Sequence, residues 1–236
     1  MLGAAGVAIV LSIGFFPTFF NTVTSYDDEG SLLITVRQFL RHGSLYVHTH
    51  GGYGPFYFSL AGALFRLTGH DPTLFTGRLI VMAFTAVAAS MFAAAVWRVT
   101  RNLAFSLLTQ VVTYCILAKV AGSEPMHPGS MVVLVLSVLA FALASYTVTN
   151  STAAMVWVGA ATGALMMIKI NVGIFAFVAV VVAFVIGNDQ FPKFLRAAVG
   201  VLALLAPVVL MATRLYQTAT LQFAVVVAFG LLATYA

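Results

Sequence analysis

The sequence predicts an all-α fold: a polytopic transmembrane helical bundle of about eight spans, with amphipathic juxtamembrane helices in the first outer loop. Two observations carry that prediction. Of 236 residues, 62% are hydrophobic and only 7% are charged, whereas a soluble domain carries roughly 25% charged residues. The apolar residues also fall into runs close to the ~20 that a membrane helix needs. So few polar side chains cannot coat a water-soluble globule, which excludes a soluble enzyme. The abundance of apolar surface excludes disorder. A single cysteine, Cys115, excludes a disulfide framework and a cysteine-based zinc site. The net charge is +5, but the bases are scattered and form no run of the kind that binds nucleic acid.

The first span is expected over Leu2–Phe20, which lacks the basic flank and small-residue cleavage site of a signal peptide. A polar stretch, Asn21–Gly54, follows. Pro55–Leu67 is apolar and aromatic but short, which suits an interfacial or re-entrant helix. Further spans are expected at Thr73–Trp97, Leu103–Ala118, Gly129–Thr147, Ala153–Ile168, Val172–Gly187, Phe194–Leu215 and Thr220–Ala236. The apolar run Ala153–Gly187 is too long for one span and contains Lys169 and Asn171. A break is therefore expected at Lys169–Asn171, against the alternative of one tilted helix with a buried lysine. Residues 1–236 read as a single transmembrane domain that closes on an apolar run without a polar tail, as a truncated gene product or a fragment would.

Orientation follows from Lys and Arg in short loops. With the N-terminus inside, Arg98, Arg101, Lys193 and Arg196 fall in cytoplasmic loops. The same orientation carries Arg37, Arg41, Arg66, Arg78, Lys119, Lys169 and Arg214 to the outer face, against the rule. Five of the six acids, Asp27, Asp28, Glu29, Asp71 and Glu124, collect on that face too. Charges of both signs at one face of an apolar protein mark a functional site.

The densest chemistry is Tyr26-Asp27-Asp28-Glu29-Gly30. Adjacent carboxylates repel one another unless water, bases or a cation screens them. They are candidates for a catalytic base, or for an oxygen ligand of Mg²⁺ or Mn²⁺. The alternative is a solvated helix start, with Asp27 or Asp28 as N-cap and Glu29 in the first turn. Leu32, Leu33, Val36, Phe39 and Leu40 then recur at helical amphipathic spacing. Arg37 and Arg41 lie one turn apart on the opposite face, placed to hold a lipid phosphate or to meet anionic headgroups non-specifically. The segment His48-Thr49-His50-Gly51-Gly52-Tyr53-Gly54-Pro55 marks a turn into the short aromatic helix. Tyr53, Phe56, Tyr57 and Phe58 suit an interfacial belt, or stacking against a sugar or isoprenoid. The second outer loop brings Glu124 and His127 between two prolines. Glu124 could hold a metal or acceptor and His127 a phosphate or hydroxyl; alternatively Pro128 only starts a helix. Lys169 and Asn171 at the helix break could attend a phosphate leaving group, or Lys169 could snorkel to the interface.

Asp28-Glu29, Gly54-Pro55-Phe56-Tyr57-Phe58, Leu67-Thr68-Gly69 and Arg78-Leu79, in this order after a first span, resemble the GT-C superfamily of integral-membrane glycosyltransferases. The likeness is to the bacterial dolichyl-phosphate-mannose mannosyltransferase and lipopolysaccharide-core glycosyltransferase kind, and runs best over residues 1–100. The resemblance implies a polyprenyl-phosphate-linked sugar donor, a glycan, lipid or protein acceptor, and transfer at the extracytoplasmic face of a multi-pass protein of the inner plasma membrane. It implies Asp28 as the catalytic carboxylate with Asp27 and Glu29 beside it. Arg37, Arg41, Tyr53, Tyr57, Arg78, Glu124, His127, Lys169 and Asn171 are the expected substrate-binding residues, and Asp28 and Glu124 the metal candidates. No nucleic-acid partner is expected. The competing reading is a secondary transporter or lipid flippase, since broken helices and charges within a membrane domain fit that class as well; a third is a non-catalytic truncated family member.

Overall fold

The computed structural model of the chain describes residues 2–21, 29–49, 51–123, 126–210, 212–214 and 216–233. Among the described residues the structure is helical, with an isolated bridge between Leu45 and Thr49 and no strand. The helices are α1 (Leu2–Gly14), α2 (Phe16–Phe20), α3 (Glu29–His42), α4 (Pro55–Thr68), α5 (Leu74–Thr100), α6 (Leu103–Ser123), α7 (Pro128–Thr149), α8 (Thr152–Ile168), α9 (Ile170–Gly187), α10 (Lys193–Leu210) and α11 (Thr218–Ala233). They form two compact units, Met1–Ile174 and Phe175–Ala236.

Among the described residues four helical stretches, against the eight spans expected, are long and apolar enough to cross a membrane: Leu74–Thr100, Leu103–Gly122, Pro128–Thr149 and Ile170–Gly187. α5, with 27 residues, reaches roughly 40 Å at 1.5 Å per residue, more than the ~30 Å hydrocarbon core. These helices make the chain a membrane protein by length and composition. Gly3–Gly14 and Thr152–Ile168 are apolar but shorter.

The expected first span, Leu2–Phe20, is two helices instead of one. Pro17 is the physical reason: it has no N–H to give the Ile13 carbonyl, and its ring crowds that oxygen. α1 therefore ends with Phe15 N–H on the Leu11 carbonyl at 2.9 Å, and the short α2 restarts at Phe16. The break expected at Lys169–Asn171 is present. Lys169 is extended (φ −149°, ψ 102°) between α8 and α9. Its charge also complements the negative end of the α8 dipole. The amphipathic reading of α3 holds as well: Leu32, Leu33 and Val36 are buried while Arg37 and Arg41 are exposed.

In the first unit α5 is the central helix, packed on α6 and α7, with α8 against α7. Buried Ala88, Ala89, Ala93 and Ala95 let the neighbouring backbones approach α5 closely. Polar side chains tie the apolar helices together. Gln110 Nε2 donates to the Ala4 carbonyl at 2.8 Å and to Ser90 Oγ at 3.1 Å, and Ser106 Oγ donates to the Ala93 carbonyl at 2.6 Å. Leu108, Val112 and Ile116 on α6 point outward and are exposed, as side chains meeting lipid must be. In the second unit α10 packs on α11, and Arg196 donates from Nε to the Ile186 carbonyl at 2.8 Å and pairs with Asp189.

Candidate functional site

The polar chemistry of the first unit gathers where α5 and α7 begin and α8 ends. Three anchors build that end. In the first, Arg78, one turn into α5, is buried against Glu29 at the start of α3. Its Nε donates to both carboxylate oxygens at 3.1 and 3.2 Å, and its Nη2 donates to Oε2 at 2.8 Å. Its Nη1 donates to the carbonyls of Phe19 and Phe20 at 3.1 and 3.0 Å. Glu29 and Arg78 are 2% and 6% exposed. One guanidinium thus grips the chain on both sides of residues 22–28.

The second anchor is Tyr57 on α4. Its hydroxyl donates to the Met126 carbonyl at 2.9 Å. Met126 stands in the left-handed region, φ 62°, which turns that carbonyl back towards α4. Burial, and then Tyr53 beside it, push the Tyr57 phenol well above its usual value, so it remains a neutral donor. Gly77 makes room for Met126: a Cβ there would lie 2.8 Å from Met126 Cγ. Gly122 plays a similar part against the Thr18 carbonyl, 3.1 Å from a Cβ.

The third anchor joins the turn before α4 to the helix break. Gly54 N–H donates to the Ile168 carbonyl at 2.9 Å. A Cβ on Gly54 would run into the Met167 carbonyl, so only glycine permits this approach. Pro55 follows at the first position of α4, where its missing N–H costs nothing. Tyr53, just before, places its ring 5.7 Å from Tyr57 and 5.8 Å edge-on from His127. His127 caps α7, accepting from Gly129 N–H through Nδ1 at 3.2 Å. That bond uses Nδ1 as an acceptor and leaves Nε2 as the ring's other polar atom.

Tyr53, Tyr57 and His127 are therefore brought together, and the turn they belong to is seated on the break that carries Lys169. Lys169 is half-buried, and its side chain makes no hydrogen bond or ion pair among the described residues. Asn171 lies in the first turn of α9, exposed, its Oδ1 accepting from Val172 N–H at 2.9 Å.

Several expectations need correction. The sequence places Glu29 beside the catalytic acid, or alternatively in the first turn of a helix, where it does stand, and makes Arg78 a substrate ligand. Each instead pairs with the other in a buried position, because neither buried charge is tolerable alone. Arg37 and Arg41 do not both turn to the site. Arg37 Nη2 donates to the Pro72 carbonyl at 2.9 Å, bracing α3 on the α4–α5 link, and Arg41 is exposed. Asp27, Asp28, His50 and Glu124 lie outside the described residues. Among the described residues no group of three or more His, Cys, Asp or Glu side chains could hold a metal, and the Glu29 carboxylate is committed to Arg78. The two expected ligands of Mg²⁺ or Mn²⁺, Asp28 and Glu124, both lie outside the described residues.

The roles of Gly54, Gly77 and Met126 escape sequence reading. Gly54-Pro55 marks a turn, but nothing local names its partner 114 residues away, at Ile168. No family model, no curated protein and no solved structure matches the chain.

Proposed function

We propose that this chain is an integral-membrane glycosyltransferase of the GT-C kind. It moves a sugar from a polyprenyl-phosphate-linked donor to an extracytoplasmic glycan, lipid or protein acceptor. The observation that carries the reading is the convergence on one end of an apolar bundle of a Tyr–Tyr–His cluster, a lysine-bearing helix break and the anchored flanks of both acid-bearing segments. In this reading all eight apolar segments lie in the bilayer of the inner plasma membrane, and that end faces outward. Such a position suits a donor whose lipid tail stays in the bilayer while its sugar reaches water.

The chemistry asked of the site is simple. A carboxylate, assigned to Asp28, takes the proton of an acceptor hydroxyl. The acceptor oxygen attacks the anomeric carbon, the carbon–oxygen bond to phosphate breaks, and polyprenyl phosphate leaves with the bonding pair. Lys169 offsets the charge of the leaving phosphate. Tyr53, half-buried, offers its ring to the sugar; Tyr57, expected as a substrate-binding residue, is buried with its hydroxyl on Met126 and braces Tyr53 from behind.

The α8–α9 break at Lys169 also favours a second reading, a lipid or sugar transporter, because interrupted helices line many transport paths. One experiment separates the two. Membranes containing the chain are incubated with a labelled polyprenyl-phosphate sugar. Release of polyprenyl phosphate with label on an acceptor supports the transferase. Movement of intact donor across the bilayer without bond cleavage overturns it.

A further inference from the structure

Towards the opposite end of the first unit, α5, α7 and α8 border an open cavity of about 320 Å³ lined by Met91, Phe141, Ser145, Ala154 and Trp157 among others. That volume lies at the lower bound of ordinary ligand pockets, and its wall is apolar with few polar groups, as such pockets are. Two polar atoms lack hydrogen-bond partners, one on a residue that lines the cavity and one beside it, next to the lining Phe141. Ser145, 9% exposed, has a buried Oγ that makes no hydrogen bond. The Arg98 guanidinium sits 5.8 Å above the centre of the Phe141 ring, and its buried Nε donates to nothing. Arg98 as a whole is half-buried, so its guanidinium is partly withdrawn from water, and a counter-charge beside it would be favourable.

No carboxylate of this unit's neighbouring chain supplies one: residues 91–105 and 138–160 contain Arg98 and Arg101 and no Asp or Glu. The charged side chains of these two stretches are both basic, which favours an anion beside them. Trp157 and Trp97, 61% and 39% exposed, stand on the outer surface of α8 and α5, where indoles settle at a membrane–water interface. An occupant must therefore be anionic at one end, apolar at the other and native to the bilayer edge.

We propose that this cavity binds an anionic phospholipid of the adjoining leaflet. Its phosphate pairs with Arg98, an ester oxygen accepts from Ser145 Oγ, and one acyl chain lies in the cavity between Phe141 and Trp157. The site is separate from the Tyr53–His127 end and does not depend on the transferase reading.

Trp157 lines the cavity and so reports on it. The whole chain carrying Trp97→Phe is reconstituted in phosphatidylcholine vesicles containing a small fraction of lipid brominated on its acyl chains. Brominated phosphatidylglycerol should quench Trp157 at about fivefold lower mole fraction than brominated phosphatidylcholine, the factor one basic residue contributes at an anionic surface. Arg98→Gln should abolish the difference, whereas the exposed Arg101→Gln should leave it. Ala154→Leu, which fills the cavity without touching charge, should weaken quenching by the anionic lipid even if Arg98→Gln fails to fold. Equal quenching by the two lipids overturns the proposal. So does loss of the preference in Arg101→Gln, which would mean surface charge alone. Displacement of the anionic phospholipid by equimolar oleate would overturn the headgroup assignment. Protection of Trp157 that grows with protein density would show a second copy filling the cavity, and overturn it equally.

Discussion

Arg78 and Glu29, 49 residues apart in sequence, meet through three hydrogen bonds in a buried site where Arg78 also holds the carbonyls of Phe19 and Phe20. The pair closes the chain around residues 22–28, the segment that carries Asp27 and Asp28. Its cost and its use are both electrostatic: two charges removed from water are tolerable only while they hold each other.

Removing one partner should be severe. Arg78→Leu or Glu29→Leu is expected to destabilise the fold by about 3–5 kcal/mol, the range for an orphaned buried charge. Arg78→Leu combined with Glu29→Leu should cost less than the two single changes summed. Thermal unfolding in detergent, followed by loss of monodispersity, gives the comparison. An additive double variant would show that the pair is not coupled.

Gly54→Ala should also destabilise, because its Cβ would overlap the Met167 carbonyl and part the α4 turn from the α8 break. Overpacking of this kind costs about 1–3 kcal/mol. Gly52→Ala, with nothing within 4 Å of a Cβ, is the matched control and should melt as the parent does.

Tyr57 predicts an alkaline limit to stability. Its phenol is raised in the folded state by burial and by Tyr53, while an unfolded tyrosine titrates near 10. The folded protein then binds more protons than the unfolded chain above that value, so stability falls as pH rises. The contribution is whole below about pH 10 and declines above it. Melting curves between pH 8 and about 11 should show the decline in the parent and a shallower one in Tyr57→Phe. Tyr57→Phe should also lose about 1 kcal/mol at neutral pH from the missing bond to Met126.

For the transfer reaction, Asp28→Asn should lower the rate per folded molecule by about 10²–10⁴-fold, the contribution of a general base, and Asp27→Asn by much less. Asparagine keeps the size and most of the hydrogen bonding of aspartate, so a helix cap would survive the change. Undiminished transfer by Asp28→Asn would remove it from the catalytic role. Glu29→Gln is expected to fail by a different route, through loss of folded protein, because its carboxylate serves Arg78.

Topology is open to direct labelling. In a Cys115→Ala background, Ser44→Cys should react with a membrane-impermeant thiol reagent in intact cells and Asn102→Cys should not. Arg98 and Arg101 beside Asn102 are the reason, by the positive-inside rule. The reverse pattern would move the tyrosine–histidine end to the cytoplasm.

Composition and local periodicity alone determine that the chain is helical and apolar, that α3 carries an apolar stripe of Leu32, Leu33 and Val36, and that the long apolar run breaks at Lys169. Each of these depends on residues within a few positions of one another, so the sequence displays it directly. Pro17 carried the signal for the split of the first apolar run, though an apolar run of span length outweighs one proline when read by hydropathy. What only the tertiary structure decided is which polar groups meet. Arg78 reads as one more basic residue until Glu29 and the Phe19 and Phe20 carbonyls are found around it. Gly54 reads as a turn until Ile168 accepts its N–H, and Tyr57 as an interfacial aromatic until Met126 turns a carbonyl towards it. In so apolar a chain every buried polar group must find a partner, and helices packed across the bundle bring that partner from far along the sequence, where no local pattern records it.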